Sequence, residues 1–401
     1  MSFIQYLQES VDDESKLVHL KHVGEHAIDS GEEGFKHAFH TLNDVHDAIQ
    51  GSATSPTKTA IKYDGSPSIV FGYHPKTKKF FVASKSAFNK EPKINYSHED
   101  IERNHGHAPG LVEKLKAAYD HLQKVTPKGR VFQGDIMYTK QHQWNGSSTN
   151  DIKEHGGKYH FTPNTITYSQ SKDSPEGKKI AKAKIGVAVH TEYRGNGDLE
   201  DMQAHYGFNA HEEGSGFRQH SDVHLLPTHV EHPAKPPRTK FHTHMQRAVE
   251  EFEGATDETH QAVNNHRISL KTYINSTVRT GAKRSVAGYQ AWLKAKHQGE
   301  VDKLKTPAGK AKRQQAMDSD LDHVRRNRHH FQRILNIHDH LENAKDELVT
   351  HLERMSHHGY EHSIHGKPTG PEGFVAIRHN RPTKLVKRGV FSQANFNIRP
   401  R

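Results

Sequence analysis

Cysteine is missing from all 401 residues, which removes disulfides, thiolate zinc sites and cysteine nucleophiles together and fits a reducing compartment. Any metal must therefore sit on histidine or oxygen. No apolar run approaches the ~18 residues of a membrane span, and the opening MSFIQYLQESVDDESK has neither a basic stretch nor a small-residue cleavage site. The expectation is a soluble, unexported, cytoplasmic protein with no membrane partner. Apolar residues are sparse as well. They make up 32 % of the chain, and even with the 30 glycines added they stay below the roughly 45–50 % of an average globular protein, so part of the chain is expected to be polar helix or long loop. At ~150 residues per domain the length still allows two to three domains and a sizeable core.

What the chain has in excess is positive charge and histidine. The formal net charge of +10 favours a polyanion such as nucleic acid or nucleotide, with simple solubility as the plain alternative. The 37 histidines are scattered and form no HExxH motif or terminal run, so they read as a habit of composition rather than a metal site.

The first fifty residues carry apolar side chains at steps of three and four: Leu17, Leu20 and Val23, then Phe35, Phe39, Leu42 and Val45, with Gly31 and Gly34 between them. This predicts two short helices with a turn. From Thr59 to Ser84 two β-rich runs, Ser68 to Tyr73 and Lys79 to Ala83, flank HPKTK turn chemistry and predict a hairpin. An amphipathic helix is expected over 110–124, and strands over 130–138, 165–168 and 184–193. Beyond the Pro-rich HPAKPPR stretch nearly every window up to 357 is helical, most clearly where Leu341, Ala344, Leu348, Leu352 and Met355 draw one apolar stripe. Within 261–317 twelve Lys or Arg face two acids, with Tyr273, Tyr289 and Trp292 interleaved. A β-rich tail returns at 371–391. The expected division is an N-terminal helical segment (1–50), a β core (51–235), a basic helical insertion (236–360) and the last core strands with the tail (361–401).

The sharpest local feature is IKYDGSPSIVFG. A lysine just before an Asp-Gly turn can be held facing a pocket, but its amine attacks phosphorus or carbonyl carbon only when deprotonated, which needs desolvation or cationic neighbours. Lys62 meets that condition if Lys384 and Lys387 fold nearby. Taken alone, a KxDG pattern is more often a β-turn with a solvated lysine.

The ordered series of which it is the first member resembles the covalent nucleotidyltransferase superfamily of ATP-dependent RNA and DNA ligases and mRNA capping enzymes. Lys62-Tyr63-Asp64-Gly65 matches the KxDG motif, and the following Ser66 is closer to the RNA ligases. Ser84-Lys85-Ser86 resembles the next, basic motif. Phe132-Gln133-Gly134-Asp135 resembles the acid-bearing third motif, with Asp where Glu is more usual. Gly186 to Tyr193 resembles the strand that carries the base-stacking residue, with His190 in the place of the usual aromatic. Glu372-Gly373-Phe374-Val375 matches EGxV, and Lys384-Leu385-Val386-Lys387 resembles the final lysine motif with one extra residue between the two lysines. The wider layout, including HVGEHAIDSGEEGFKHAF, PNTITY and IGVAVHTEY, also resembles uncharacterised proteins of large tailed phages, which would place the chain in a host cytoplasm.

The resemblance implies an α+β fold: an antiparallel-sheet nucleotidyltransferase (ATP-grasp-like ligase) core with N-terminal helices, a large helical insertion and no C-terminal OB domain, since only ten residues follow Phe391. It also implies ATP and Mg²⁺ as cofactors, a lysyl-AMP intermediate on Lys62, and Lys384 and Lys387 as catalytic cations, with their individual roles open. Asp64, Gly65, Lys85, Asp135, His190 and Glu372 would bind nucleotide, and Asp135 and Glu372 the metal, because hard Mg²⁺ prefers carboxylate oxygen. The acceptor would be RNA or DNA ends, RNA favoured, sealed 5′-phosphate to 3′-hydroxyl. Lys283, Arg284, Lys294 and Lys296 would lie on phosphates, with Trp292, Tyr273 or Tyr289 stacking bases. The alternative for this block is a solvated charged face over core aromatics. Two other functions stay open: guanylyl or other nucleotidyl transfer, and a catalytically inactive nucleic-acid-binding or structural phage protein.

Overall fold

The computed structural model describes residues 20–51, 55–89, 91–144, 147–230, 240–355 and 358–387. Leu17, the HPAKPPR stretch at 232–238 and the tail beyond Lys387 fall outside them. The fold is α+β, with largely antiparallel strand pairing. Two compact units divide the chain: Met1–Leu20, Pro56–His232 and Glu353–Pro382 form one; Lys21–Ser55, Pro233–Leu352 and Thr383–Arg401 form the other.

The second unit begins with β1 (Lys21–His22) and α1 (Val23–Ile49). The expected pair of short helices is one element bent at Ser30 and Gly31, where Gly31 takes φ +52°. Such a φ is costly for residues with a Cβ, which is why a glycine marks the bend. Beyond the bend Phe35, Leu42 and Val45 of the predicted face are buried, Phe39 is half-buried, and Ala38 joins the core beside them.

The first unit is built on strands β2 (Thr57–Lys62), β3 (Ser68–Tyr73) and β4 (Phe80–Ala83), followed by a 3₁₀ turn over Lys85–Phe88. Helices α2 (His98–His105) and α3 (Pro109–Leu122) come next, then β5 (Val131–Trp144), β6 (Ser147–Asn150), β7 (Lys153–His155), β8 (Lys158–Phe161) and β9 (Thr167–Ser171). After α4 (Pro175–Lys182) follow β10 (Ile185–Arg194), β11 (Gln203–Tyr206) and β12 (Val223–Leu225); β13 (Glu361–Ile364), β14 (Lys367–Thr369) and β15 (Gly373–Arg378) are added from the far end of the chain. The main sheet runs β11-β10-β5-β3-β4, a second runs β14-β13-β9-β8-β7, and β2 pairs antiparallel with β15.

Both faces of the main sheet are covered, which explains the unbroken apolar run SIVFGY. Side chains alternate across a strand, so Ile69, Phe71 and Tyr73 enter one core with Val112, Leu115, Ala118 and Leu122 of α3. Val70 enters the other, with Phe81, Val131 and Tyr193. Burying each such Val, Leu or Phe contributes about 1.5–3 kcal/mol.

The rest of the second unit is helical: α5 (Phe241–Glu253), α6 (Asp257–Asn264), α7 (Arg267–Thr280), α8 (Val286–Lys303), α9 (Pro307–Arg326) and α10 (Arg328–Leu352), closed by the end of β16 (Arg381–Leu385). Leu341, Ala344, Leu348 and Leu352 of the predicted stripe are buried. Phe35 of α1 stacks on Phe252 of α5 at 4.0 Å, and Glu342 of α10 accepts the Gly24 amide at 2.9 Å, so α1 is packed into this helical block. Thr383 and Lys384 of β16 lie opposite Lys21 and His22 in a parallel pair. Tyr273 and Tyr289 are core residues, 4 % and 0 % exposed, so the expectation that they stack bases is corrected: their rings fill the interior between α7 and α8.

Candidate active site

β2 delivers Lys62 at its last position, directly opposite Gly373, the first residue of β15. The register sets the preceding Glu372 beside it, and Lys62 Nζ forms an ion pair with Glu372 Oε1. The two side chains are 24 % and 12 % exposed, so the pair is sheltered but reachable.

The KYDG turn is fastened on three sides. Tyr63 is buried and its hydroxyl donates to the Pro227 carbonyl at 2.8 Å. Asp64 is also buried, and its carboxylate accepts from Asn164 Nδ2 at 2.8 Å and from the Thr165 and Ile166 amides at 2.7 and 2.9 Å. The Asp64 amide donates to the Tyr168 hydroxyl at 2.7 Å. Both carboxylate oxygens are thus engaged inside the protein, holding the PNTITY segment, rather than offered to a nucleotide. Gly65 lies against β5: a Cβ there would sit 2.5 Å from Asp135 Cβ and 2.9 Å from Met137 Sδ. Only glycine lets the turn approach Asp135 this closely. Reciprocal backbone bonds, Ser66 amide to Ile136 carbonyl and Ile136 amide to Pro67 carbonyl, both 3.0 Å, dock the turn on β5.

Asp135 sits opposite Ser68 on one side and Ala188 on the other. The β5–β10 register slips between Val189 and Thr191, leaving His190 as a bulged residue whose Nε2 lies 3.6 Å from Asp135 Oδ2. A bulge re-aims a side chain, and here it turns the imidazole toward the carboxylate. Burial opposes ionisation of Asp135, but the His190 ring, the Ser68 hydrogen bond and the charge of Lys62 together hold its carboxyl below the usual range. Sequence reasoning passed over the residues that orient this group. Tyr193 donates to Gln133 Oε1 at 2.6 Å, and Gln133 Nε2 donates to Ser68 Oγ at 3.0 Å. Gln133 stands two positions before Asp135, so strand alternation puts both on one face; that spacing was the available signal.

Lys85 is exposed on the 3₁₀ turn after β4. Phe88 of the same turn packs on Tyr193 at 4.7 Å, which places the turn over the face that carries Asp135, Gln133 and Ser68. The structure therefore brings Lys62, Glu372, Asp135, His190 and the Gly65 turn together, with Lys85 on the same face. Lys384 and Lys387 are half-buried in the second unit, and Lys387 acts electrostatically on Asp346 of α10.

Among the described residues no three His, Asp or Glu cluster as a metal cage. Mg²⁺ held by one or two carboxylates together with substrate phosphates needs none, and Asp135 and Glu372 fit that donor chemistry.

The basic residues of the helical block are placed unevenly. Arg284 is committed to Asp339 at 2.8 Å. Lys283 and Lys294 are exposed, and Lys296 Nζ lies 5.2 Å over the half-buried Trp292 ring.

Residues 17–399 match a protein family described as a family of unknown function (DUF6267). No curated protein and no solved structure matches the chain.

Proposed function

We propose that the chain, which belongs to the DUF6267 family, is an ATP-dependent polynucleotide ligase acting through a lysyl-AMP intermediate, with RNA ends favoured over DNA. The observation that carries this reading is the meeting of Lys62 with Glu372, from opposite ends of the chain, beside Asp135 and His190. A surface salt bridge needs neither a fastened turn nor a second oriented carboxylate behind it.

The contact with Glu372 aims Lys62 Nζ. Attack requires the free amine. The lone pair of Lys62 Nζ bonds to the α-phosphorus of ATP, the nitrogen gives up a proton to solvent, the bond to the pyrophosphate oxygen breaks, and pyrophosphate leaves with the electron pair. Charge develops on phosphate oxygens, and Lys85 is the cation on the same face of the sheet. Mg²⁺, held by Asp135 and Glu372 when bound, would neutralise the phosphate charge. In the second step an oxygen of a 5′-phosphate displaces Lys62 from phosphorus and the amine regains a proton. A 3′-hydroxyl then displaces AMP and seals the strand.

The test is incubation of the full chain with α-labelled ATP or GTP and Mg²⁺, followed by denaturing electrophoresis. Wild type should acquire label from ATP, and Lys62→Ala and Lys62→Arg should acquire none. Label from GTP alone would replace ligation with guanylyl transfer, and an unlabelled wild-type chain would end the reading.

A further inference from the structure

We propose that the tip of the α8–α9 hairpin, residues 303–312, is a grip for the phosphate backbone of a single-stranded polynucleotide. α8 and α9 run antiparallel and are tied by the Glu300–Arg313 ion pair and by His297 to Asp320 at 2.9 Å. The acids along the body of the hairpin are met locally. Asp322 takes Arg325 and Arg326, both at 2.5 Å, while Asp302 and Asp318 accept from Gln298 and Gln314 at 2.8 and 3.2 Å. The tip is different. KLKTPAGKAK carries Lys303, Lys305, Lys310 and Lys312 with no acid among its ten residues. All four are exposed, and among the described residues none of the four side chains has a hydrogen bond or ion pair.

Four uncompensated cations on one turn repel one another, and a polyanion relieves that repulsion while releasing its own counterions. The charged surface continues along α8. Trp292, Lys296 and Lys303 follow at steps of four and seven, on one face of the helix, and Trp292 is half-buried with Lys296 over its ring. Lysines that follow a backbone, next to an aromatic ring on which a base can stack, are the elements of sequence-tolerant single-strand binding. An anionic membrane is the less fitting partner. Leu304 is the only large hydrophobic side chain exposed among the described residues, whereas interfacial helices present a whole apolar face.

The role of this grip in holding an acceptor strand rests on the nucleotidyl-transfer reading; the binding itself does not, and the two are tested apart. Fluorescence anisotropy of a labelled 20-nucleotide single strand, RNA and DNA in separate titrations, is followed from 50 to 300 mM salt without nucleotide. The full chain should bind at low salt with affinity falling steeply as salt rises. Replacing Lys303, Lys305, Lys310 and Lys312 together by Gln should weaken binding at least tenfold at 100 mM salt. It should also flatten the log–log salt slope by about three, at ~0.7 per phosphate contact. The fourfold Lys→Arg variant should retain both. A Gln variant that binds like wild type, a wild type that does not bind the strand, or stronger capture by phosphatidylserine vesicles than by the oligonucleotide would each overturn the proposal. Lys62 labelling in the Gln variant should equal wild type. Strand binding by a wild-type chain that takes no label would leave the grip standing and remove only the ligase reading.

Discussion

Asp64 uses its charge on the protein itself. Three donors from 164–166 converge on a buried carboxylate, so removing it leaves them without their acceptor, and the buried Ile166 amide without water to replace it. Asp64→Ala should destabilise the first unit by about 3 kcal/mol, with Asp64→Asn costing less because one acceptor oxygen remains; urea unfolding curves measure both. The KxDG spacing pointed to Lys62 and to the turn, and the turn is there. It could not say whether Asp64 faces ligand or loop, because the donors that settle it lie a hundred residues away. Glu176 is a half-buried acid with a definite consequence. Burial would raise its pKa, but hydrogen bonds from His224 and Lys179, each at 2.6 Å, and the charges behind them bring it down to about 2 from the usual 4.5. A carboxylate whose folded value lies below its unfolded one contributes stability in full above pH 4.5 and loses it as the pH falls toward 2. With solvent screening allowed for, the contribution is about 2 kcal/mol. Stability measured from pH 6 down to 3 should fall less in Glu176→Gln than in wild type, and the variant should be the less stable protein at pH 7.

At the level of elements, the sequence was readable where burial imposes a period and silent where it does not. The β3–β4 hairpin, α3, β10 and the α10 stripe all bury apolar side chains at regular steps, and each was predicted within a few residues. The β7–β8 hairpin has no such pattern: Lys153, Glu154 and His155 are exposed edge residues around a Gly156-Gly157 turn, and no run of apolar residues announces them. The β13–β14 pair turns at His365 and Gly366, both at positive φ, and is equally polar. α2, with sequence HEDIERNH, buries only Ile101 and His105 and is started by Ser97, whose side chain accepts the Asp100 amide. A capping serine before two acids was the one signal available, and it is local chemistry rather than periodicity. The bulge that turns His190 toward Asp135 lies beyond any pattern in a single strand, because it is a mismatch between two of them.

On the scale of the whole molecule, both units are assembled from pieces that are far apart in the chain. α1 packs into a helical block whose other members follow it only after residue 240. The helical block is therefore incomplete without α1. A fragment spanning 240–352 lacks the partner of Phe252 and of the α10 face that receives Gly24. It should show helical circular dichroism but bind a hydrophobic dye and melt without a sharp transition, and a peptide covering 21–50 should restore cooperative melting. A fragment that melts sharply by itself would show that α1 is an accessory. The order of the elements was readable along the chain, but this interleaving was not, since local spacing says nothing about which distant segment completes a core.

The bent helix near the start of the chain has a consequence for biogenesis. α1 leaves the ribosome with the apolar side of Phe35, Leu42 and Val45 uncovered, and α5, whose Phe252 stacks on Phe35, follows only after residue 240. Until α5 emerges that surface has no native partner, so slow loop closure rather than local helix formation sets when the domain can settle. A nascent chain in this state is a natural client for a holdase, and yield in a heterologous host will depend on how long that wait lasts.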